Sequence, residues 1–243
     1  MPARNSNAVV ISPHLDDAVL SLGAFLARTA RSVRRITILT VFAGNPDSRA
    51  PAGGWDRRGG FATEGDAARA RRLEDEEACR LVGAEPAWLQ FSEADYRASI
   101  DEDAIWSAVA EAVDRLNAEA ALIPGFPLTN PDHALISGLL VKRGVPCRRL
   151  GLYAEQPYRY TARAVRPRLG VPSTIPRTLP EGARWRSAGV DLRDVRTKRR
   201  AILAYRSQLT LLGLSRQRNM KLNRMLLHET LRRGEAIMWL PGS

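Results

Sequence analysis

Cysteine is scarce in this chain: two among 243 residues, Cys79 and Cys147, in unrelated contexts and without a C-x-x-C spacing. That excludes a disulfide scaffold and a cysteine-based zinc knuckle. No apolar run approaches the ~20 residues needed to span a bilayer, so no membrane partner is expected. Met1–Asn7 leads straight into a strand pattern, with no room for a secretory hydrophobic region, and a cytoplasmic protein is the expectation. Aromatic residues make up only 6% and few interleave with the arginines, so the stacking platform of a single-strand binder is not evident. Internal repeats and low-complexity linkers are absent as well. Residues 1–243 therefore read as a single domain.

What is present is enough apolar material for a core, 44% of the residues, and a net charge of +11. A basic balance of this kind fits nucleic acid, an acidic substrate or an arginine-rich background. The arginines are spread along the chain instead of forming one tail, which disfavours nucleic acid as the main partner. Strand patterns at 8–12, 35–43, 88–91, 120–123 and 150–154 alternate with helical patterns. The helices are expected at 17–31, 64–82 with Gly83 as C-cap, 101–117 and after His133 through Leu140. Two more follow at 191–212 and 216–233, a helical C-terminal portion over about 190–235. This order predicts an α/β fold, one mostly parallel sheet with helices on both faces. Residues 160–186, rich in Pro and Arg, carry no assignable pattern. The loop 44–60 follows a strand and is long enough to be expected to cover a site.

The densest chemistry lies where the first strand ends, in Ser12-Pro13-His14-Leu15-Asp16-Asp17. Ligand sites of open α/β sheets are built at the carboxyl ends of strands. An Asp at a helix start can be a mere cap, but a His and two Asp at one strand end exceed what a cap needs. Of the three histidines, His133 follows the fourth strand, in Asn130-Pro131-Asp132-His133, and so falls on the same sheet edge as His14. His228 lies on a helical pattern away from any strand end and reads as structural. Two imidazoles and one carboxylate make a three-ligand site with open positions, the pattern of catalytic zinc. The same set could hold non-haem Fe(II). Adjacent Asp residues after a tight turn cannot easily both bind one ion. We expect Asp17 to ligate and Asp16 to remain as general base, although spacing alone does not settle which does which.

These residues carry a family resemblance. Pro13-His14-Leu15-Asp16-Asp17 resembles the Pro-His-x-Asp-Asp signature of PIG-L/LmbE-like zinc-dependent deacetylases, and Asn130–His133 resembles their second motif, His-x-Asp-His. Phe42-Ala43-Gly44, Trp55-Asp56, Gly60-Phe61, Arg71–Asp75, Tyr153–Tyr158 and Lys198–Gln208 follow in the family's order, so the likeness runs from residue 8 to about 210. The resemblance implies a Rossmann-like three-layer sandwich and hydrolysis of an N-acyl, usually N-acetyl, amino sugar. By position, His14, Asp17 and His133 would hold one Zn2+ per chain. Asp16 would activate water and then protonate the leaving amine, and Asp132 would orient a histidine or cap a helix. Asn130 departs from the family's histidine. An amide can donate a hydrogen bond to an oxyanion but cannot carry a charge, which places the proton traffic on Asp16; Asn130 could equally be a turn residue before Pro131.

Arg71, Arg72, Trp55 and Asp56 are candidates for gripping sugar hydroxyls or an anionic group of the substrate. The leading expectation is a zinc-dependent N-deacetylase of a glycosylated or amino-sugar small molecule, in natural-product or thiol-sugar metabolism by family likeness. The alternatives are an amidase of a thiol-sugar conjugate and a non-catalytic basic ligand- or RNA-binding protein that keeps the fold. A homo-oligomer is compatible with either.

Overall fold

A computed structural model of the chain describes residues 6–157, 184–214, 216–231 and 234–241. β1 (Asn7–Ser12) leads into α1 (Asp17–Thr29), and β2 (Arg35–Thr40) is followed by the short α2 (Gly54–Arg58) and the long α3 (Glu64–Val82). Then come β3 (Glu85–Trp88), α4 (Glu102–Arg115), β4 (Ala118–Phe126), α5 (Pro131–Arg143) and β5 (Arg149–Ala154). After these come β6 (Arg186–Ser187), α6 (Leu192–Ile202), α7 (Arg206–Leu209), α8 (Arg216–Leu231) and β7 (Ala236–Trp239).

One seven-stranded sheet has the order β3-β2-β1-β4-β5-β7-β6. The first five strands are parallel, while β7 runs antiparallel to β5 and β6 antiparallel to β7. The apolar runs of β1 and β4 are buried along nearly their whole length, as expected of parallel strands covered on both faces. One apolar layer packs α1, α3, α6 and α8 against one face; the other packs α4 and α5 against the opposite face. The strand order reverses between β1 and β4. At such a switch point the two connections leave to opposite faces and open a crevice at the strands' carboxyl ends.

The expected α/β alternation is present, with four differences. β3 lies three residues before its expected position. Gly83, left-handed at φ 76°, ends α3, and Ala84 N–H closes onto Cys79 O, so the chain enters the sheet at once. The helix expected over 191–212 is broken at Leu203–Tyr205, where Tyr205 leaves helical geometry and its buried hydroxyl donates to Asp75 Oδ1 (2.8 Å). α5 begins at Pro131, so His133 belongs to its first turn instead of preceding it. The antiparallel edge, β6 and β7, has no counterpart in the sequence reading: two- and four-residue strands are too short for a periodic signal. Residues 160–183 of the unassigned stretch and 232–233 of the last expected helix lie outside the described residues. Among the described residues no helix is long and apolar enough to cross a membrane.

Candidate metal centre and active site

The turn from β1 into α1 is pinned by one hydroxyl. Ser12 Oγ donates to His14 O (2.7 Å) and accepts from Ala18 N–H (3.0 Å), while Asp16 N–H donates to His14 O (3.0 Å). Asp17 Oδ2 accepts from the backbone N–H of His14 (3.0 Å). Asp16 holds the N-cap position of α1 yet makes no side-chain cap bond, so its carboxylate is not consumed by the helix start. On the other side of the switch point Asn130 caps α5: its Oδ1 accepts from Asp132 N–H (2.8 Å), and Pro131 occupies the first turn.

His14 Nδ1, Asp17 Oδ2 and His133 Nε2 form a triangle with edges of 3.2, 3.1 and 3.1 Å. Bonds of 2.0–2.2 Å in a tetrahedral site separate their ligand atoms by about 3.3–3.5 Å, so the triangle matches one face of such a site to a few tenths of an ångström. The outer nitrogens are engaged: His14 Nε2 lies 3.0 Å from Asp132 Oδ2, and His133 Nδ1 is paired with Glu155 Oε1. With both outer N–H groups donated to carboxylates, two imidazole lone pairs and a carboxylate oxygen face one another. That arrangement is repulsive unless a cation lies among them. Orienting carboxylates behind ligating histidines are the usual support of a metal site. The residues therefore fit a divalent ion, and they are the one His/Cys/Asp/Glu group among the described residues that could hold a metal.

The surrounding carboxylates also draw protons to the two imidazoles, so that a proton and a metal ion compete for the same place. Burial opposes a charged His14, but Glu93, Asp132 and Asp17 outweigh it and raise its pKa to about 9. His133 is likewise driven up to about 11, against its burial, by Asp17 and Glu155. Asp17 and Asp132 stay well below the usual carboxylate range despite burial, Asp17 through both histidines and Asp132 through His14 and Arg97. Asp16 goes the other way. Burial and the neighbouring Asp17 carboxylate push it up to about 7, opposed by Arg71 and His14. Two adjacent carboxyls with opposite shifts are the mark of divided acid–base and ligand roles.

A cavity of about 310 Å³ opens over this cluster, and Asp16, Trp55, Arg71, Glu93, Asn130 and Gln208 contribute to its wall. Two of the four residues expected at the substrate lie there, Trp55 and Arg71. Trp55 Nε1–H donates to Gln208 Oε1 (2.8 Å), and the buried Arg71 donates to Glu93 Oε1 (2.6 Å). The other two are placed elsewhere. Arg72 bonds the carbonyls of Ala43 (3.2 Å) and Gly44 (2.6 Å), because its position on α3 faces the end of β2. Asp56 sits behind the wall, accepting from Tyr96 Oη–H (2.6 Å) and lying 3.5 Å from Arg71, so it supports the arginine instead of reaching the cavity. The loop after β2 is tied down: Gly53 N–H donates to Tyr96 Oη (2.9 Å), and Pro51 bridges Thr63.

Sequence reasoning assigned no role to Glu155, Arg97 or Glu93. Glu155 was traceable, since it directly follows β5 on the same sheet edge as His14 and His133. Arg97, which bonds Asp132 Oδ1 and stacks 4.7 Å over Phe42, comes from a stretch without periodicity and offered no signal.

Comparison with known proteins follows the same line. The family model PIG-L, GlcNAc-PI de-N-acetylase, matches residues 9–142. The 2'-N-acetylparomamine deacetylase of Streptomyces fradiae is 32% identical over 170 residues, which cover 64% of this chain and 58% of that relative. This chain thus matches little more than half the length of that relative. The structure of the A40926 pseudoaglycone deacetylase Dbv21 superposes with a TM-score of 0.76 at 27% identity, covering 98% of this chain and 97% of the other. A zinc-inhibited form of teicoplanin deacetylase Orf2 has the same fold, with a TM-score of 0.74 at 23% identity and coverage of 98% and 100%. With the family match spanning the strand-end motif, the switch point and the histidine of α5, the chain belongs to the PIG-L family.

Proposed function

We propose that the protein is a zinc-dependent N-deacetylase that hydrolyses an N-acyl, most simply N-acetyl, group on an amino sugar within a small molecule. The observation that carries this reading is the triangle of His14, Asp17 and His133, backed by Asp132 and Glu155 and flanked by an uncommitted Asp16. The deacetylase relatives in antibiotic-sugar chemistry support it. A divalent ion held by the three ligands supplies Lewis acidity toward a carbonyl and toward water.

The chain's own groups do the rest. Asp16, with a carboxyl pKa near 7, accepts one proton from the attacking water as the water oxygen bonds to the acyl carbon. It returns that proton to the nitrogen as the C–N bond breaks, giving the acid and the free amine and restoring Asp16. The amide nitrogen of Asn130 remains for the carbonyl oxygen, since its Oδ1 is committed to the helix cap. Asp132 and Glu155 keep the two imidazoles oriented. Trp55, Arg71 and Glu93 line the space for the sugar. Carboxylates outnumber cations in this wall, Glu93 and Asp95 beside Arg71, although the whole chain carries +11. That local sign favours a hydroxyl- and amine-bearing ring over an acidic one. A purely binding, non-catalytic role would leave Asp16 without a use.

The test is a panel of N-acetylated amino sugars, including aminocyclitol glycosides, incubated with metal-loaded protein while free amine is measured. Amine release that a chelator abolishes and Zn2+ restores is the expected result. Protein that takes up no stoichiometric metal and shows no chelator-sensitive release would overturn the proposal.

A further inference from the structure

A second buried ionic cluster lies away from the metal centre and takes no part in the proposed reaction. Lys198, one of three lysines in the chain, is fully buried on α6. Its Nζ donates to Glu229 Oε2 on α8 (2.8 Å) and to Glu235 Oε1 just before β7 (3.1 Å). Its stem crosses α1 at Gly23, where a Cβ would stand only 2.8 Å from Lys198 Cγ. Burying three ionisable groups is costly, and apolar side chains of similar volume often stabilise such an interface as well or better. What an apolar trio cannot do is hold polar groups in place.

The polar bonds that leave this cluster run to two elements of the metal centre. Ala24 N–H, on the helix that begins with Asp17, donates to Glu235 Oε1 (2.8 Å). Gln156 Nε2–H donates to Glu229 Oε1 (3.0 Å), and Gln156 N–H donates to Ser21 Oγ of α1 (3.1 Å). Gln156 is thus gripped from both sides, and its neighbours belong to the site. Glu155, one residue before, holds His133; Pro157, one residue after, lines the cavity.

We propose that Gln156 is a positioning residue of the metal centre: held by the Lys198–Glu229–Glu235 cluster, it sets where Glu155 meets His133 and where Pro157 stands in the wall. The proposal rests on the reading that His14, Asp17 and His133 hold a divalent ion. A carboxylate that orients a ligating histidine must be fixed to about 0.5 Å. Glu155 N–H still bonds Phe126 O of β4 (2.6 Å) and its Oε2 accepts from Leu128 N–H (2.9 Å), which hold the residue from the β4 side. Gln156, beyond those bonds, is held from the other side by its bonds to α1 and α8, and so fixes the direction in which the chain leaves Glu155.

The experiment titrates metal-free protein with Co2+ against a competing chelator and records the visible spectrum of the bound ion, which reports ligand geometry without any substrate. Gln156→Leu is expected to bind Co2+ about ten-fold or more weakly and with an altered band shape. Val109→Ala, a fully buried change in α4 on the opposite face of the sheet, serves as the control. It is expected to lower the melting temperature while leaving Co2+ affinity and spectrum unchanged. If Gln156→Leu does not fold, Gln156→Asn, too short to reach Glu229 yet still polar, carries the same expectation. Wild-type affinity and spectrum in the Gln156 variant, or an equal loss in Val109→Ala, would overturn the positioning role alone. Failure of the wild-type protein to bind Co2+ would instead overturn the metal reading, and this proposal with it.

Discussion

Two buried ionic clusters touch α1, one at its first residue, Asp17, and one further along at Gly23 and Ala24, and they differ in whether they contain their own cation. The cluster around Lys198 holds its own cation: a buried ammonium meets two buried carboxylates, Glu229 and Glu235. At the candidate metal centre Asp17, Asp132 and Glu155 face two imidazoles, and among the described residues the only guanidinium in direct contact, Arg97, bonds the far oxygen of Asp132. The first arrangement holds helices together; the second asks for a divalent ion and opens onto a cavity. Similar residue types thus serve architecture in one place and chemistry in the other, according to whether a side-chain ammonium closes the cluster and whether a cavity reaches it.

The largest expected effect separates the two clusters outright. Removal of the metal with a chelator should abolish amine release and leave the far-UV circular dichroism of the Lys198 region's helices in place; unfolding on metal removal would erase the distinction. Next, Asp16→Asn should lower kcat by about 10³-fold while bound metal, measured by elemental analysis, stays stoichiometric. Lys198→Met should leave Glu229 and Glu235 buried without a counter-charge and cost about 3–5 kcal/mol in urea unfolding. A near-neutral result there would show that the closed cluster does not bear on stability. Asn130→Ser keeps an oxygen for the cap of α5 but removes the amide, so kcat should fall by about 10²-fold with the melting temperature held; unchanged kcat would remove the amide from the reaction.

The smallest effect concerns pH. Burial pushes the Glu229 carboxyl up from 4.5 to about 7, with Lys198 opposing and Glu235 adding to the rise. The folded protein then keeps a proton that the unfolded chain releases. This group's stabilisation is therefore full below about pH 4.5 and is lost as pH rises through 7. In Glu229→Gln that part of the slope should vanish. A wild-type-like pH dependence of the urea midpoint in the variant would contradict the assignment.

Much of the site was legible before any coordinates. His14, Asp16, Asp17 and His133 stand at strand ends, and strand ends on one sheet edge converge wherever the order reverses. The expected span of α3, 64–82 with Gly83 after it, matches because a threonine cap, a long charged helix and a left-handed glycine are local signals. Arg72 and Asp56 were misplaced because a helix pattern tells which residues are charged but not which way each one faces in the assembled molecule. Arg97 and Glu93 were missed for the converse reason: the stretch that carries them has no period to read, and its geometry comes from packing against Phe42 and Arg71.

The amino-acid sequence by itself determined the alternation of strands and helices, the absence of a disulfide framework, and the residue types able to bind a metal, all of which follow from local patterns. Only the tertiary structure decided which nitrogens and oxygens face one another, which carboxylates stand behind the histidines, and that one lysine is buried with two glutamates to hold Gln156. Those are relations between segments far apart in the chain, at separations from 22 to 119 residues for the bonds that hold His133. No local pattern encodes them; they exist once packing has brought the segments together.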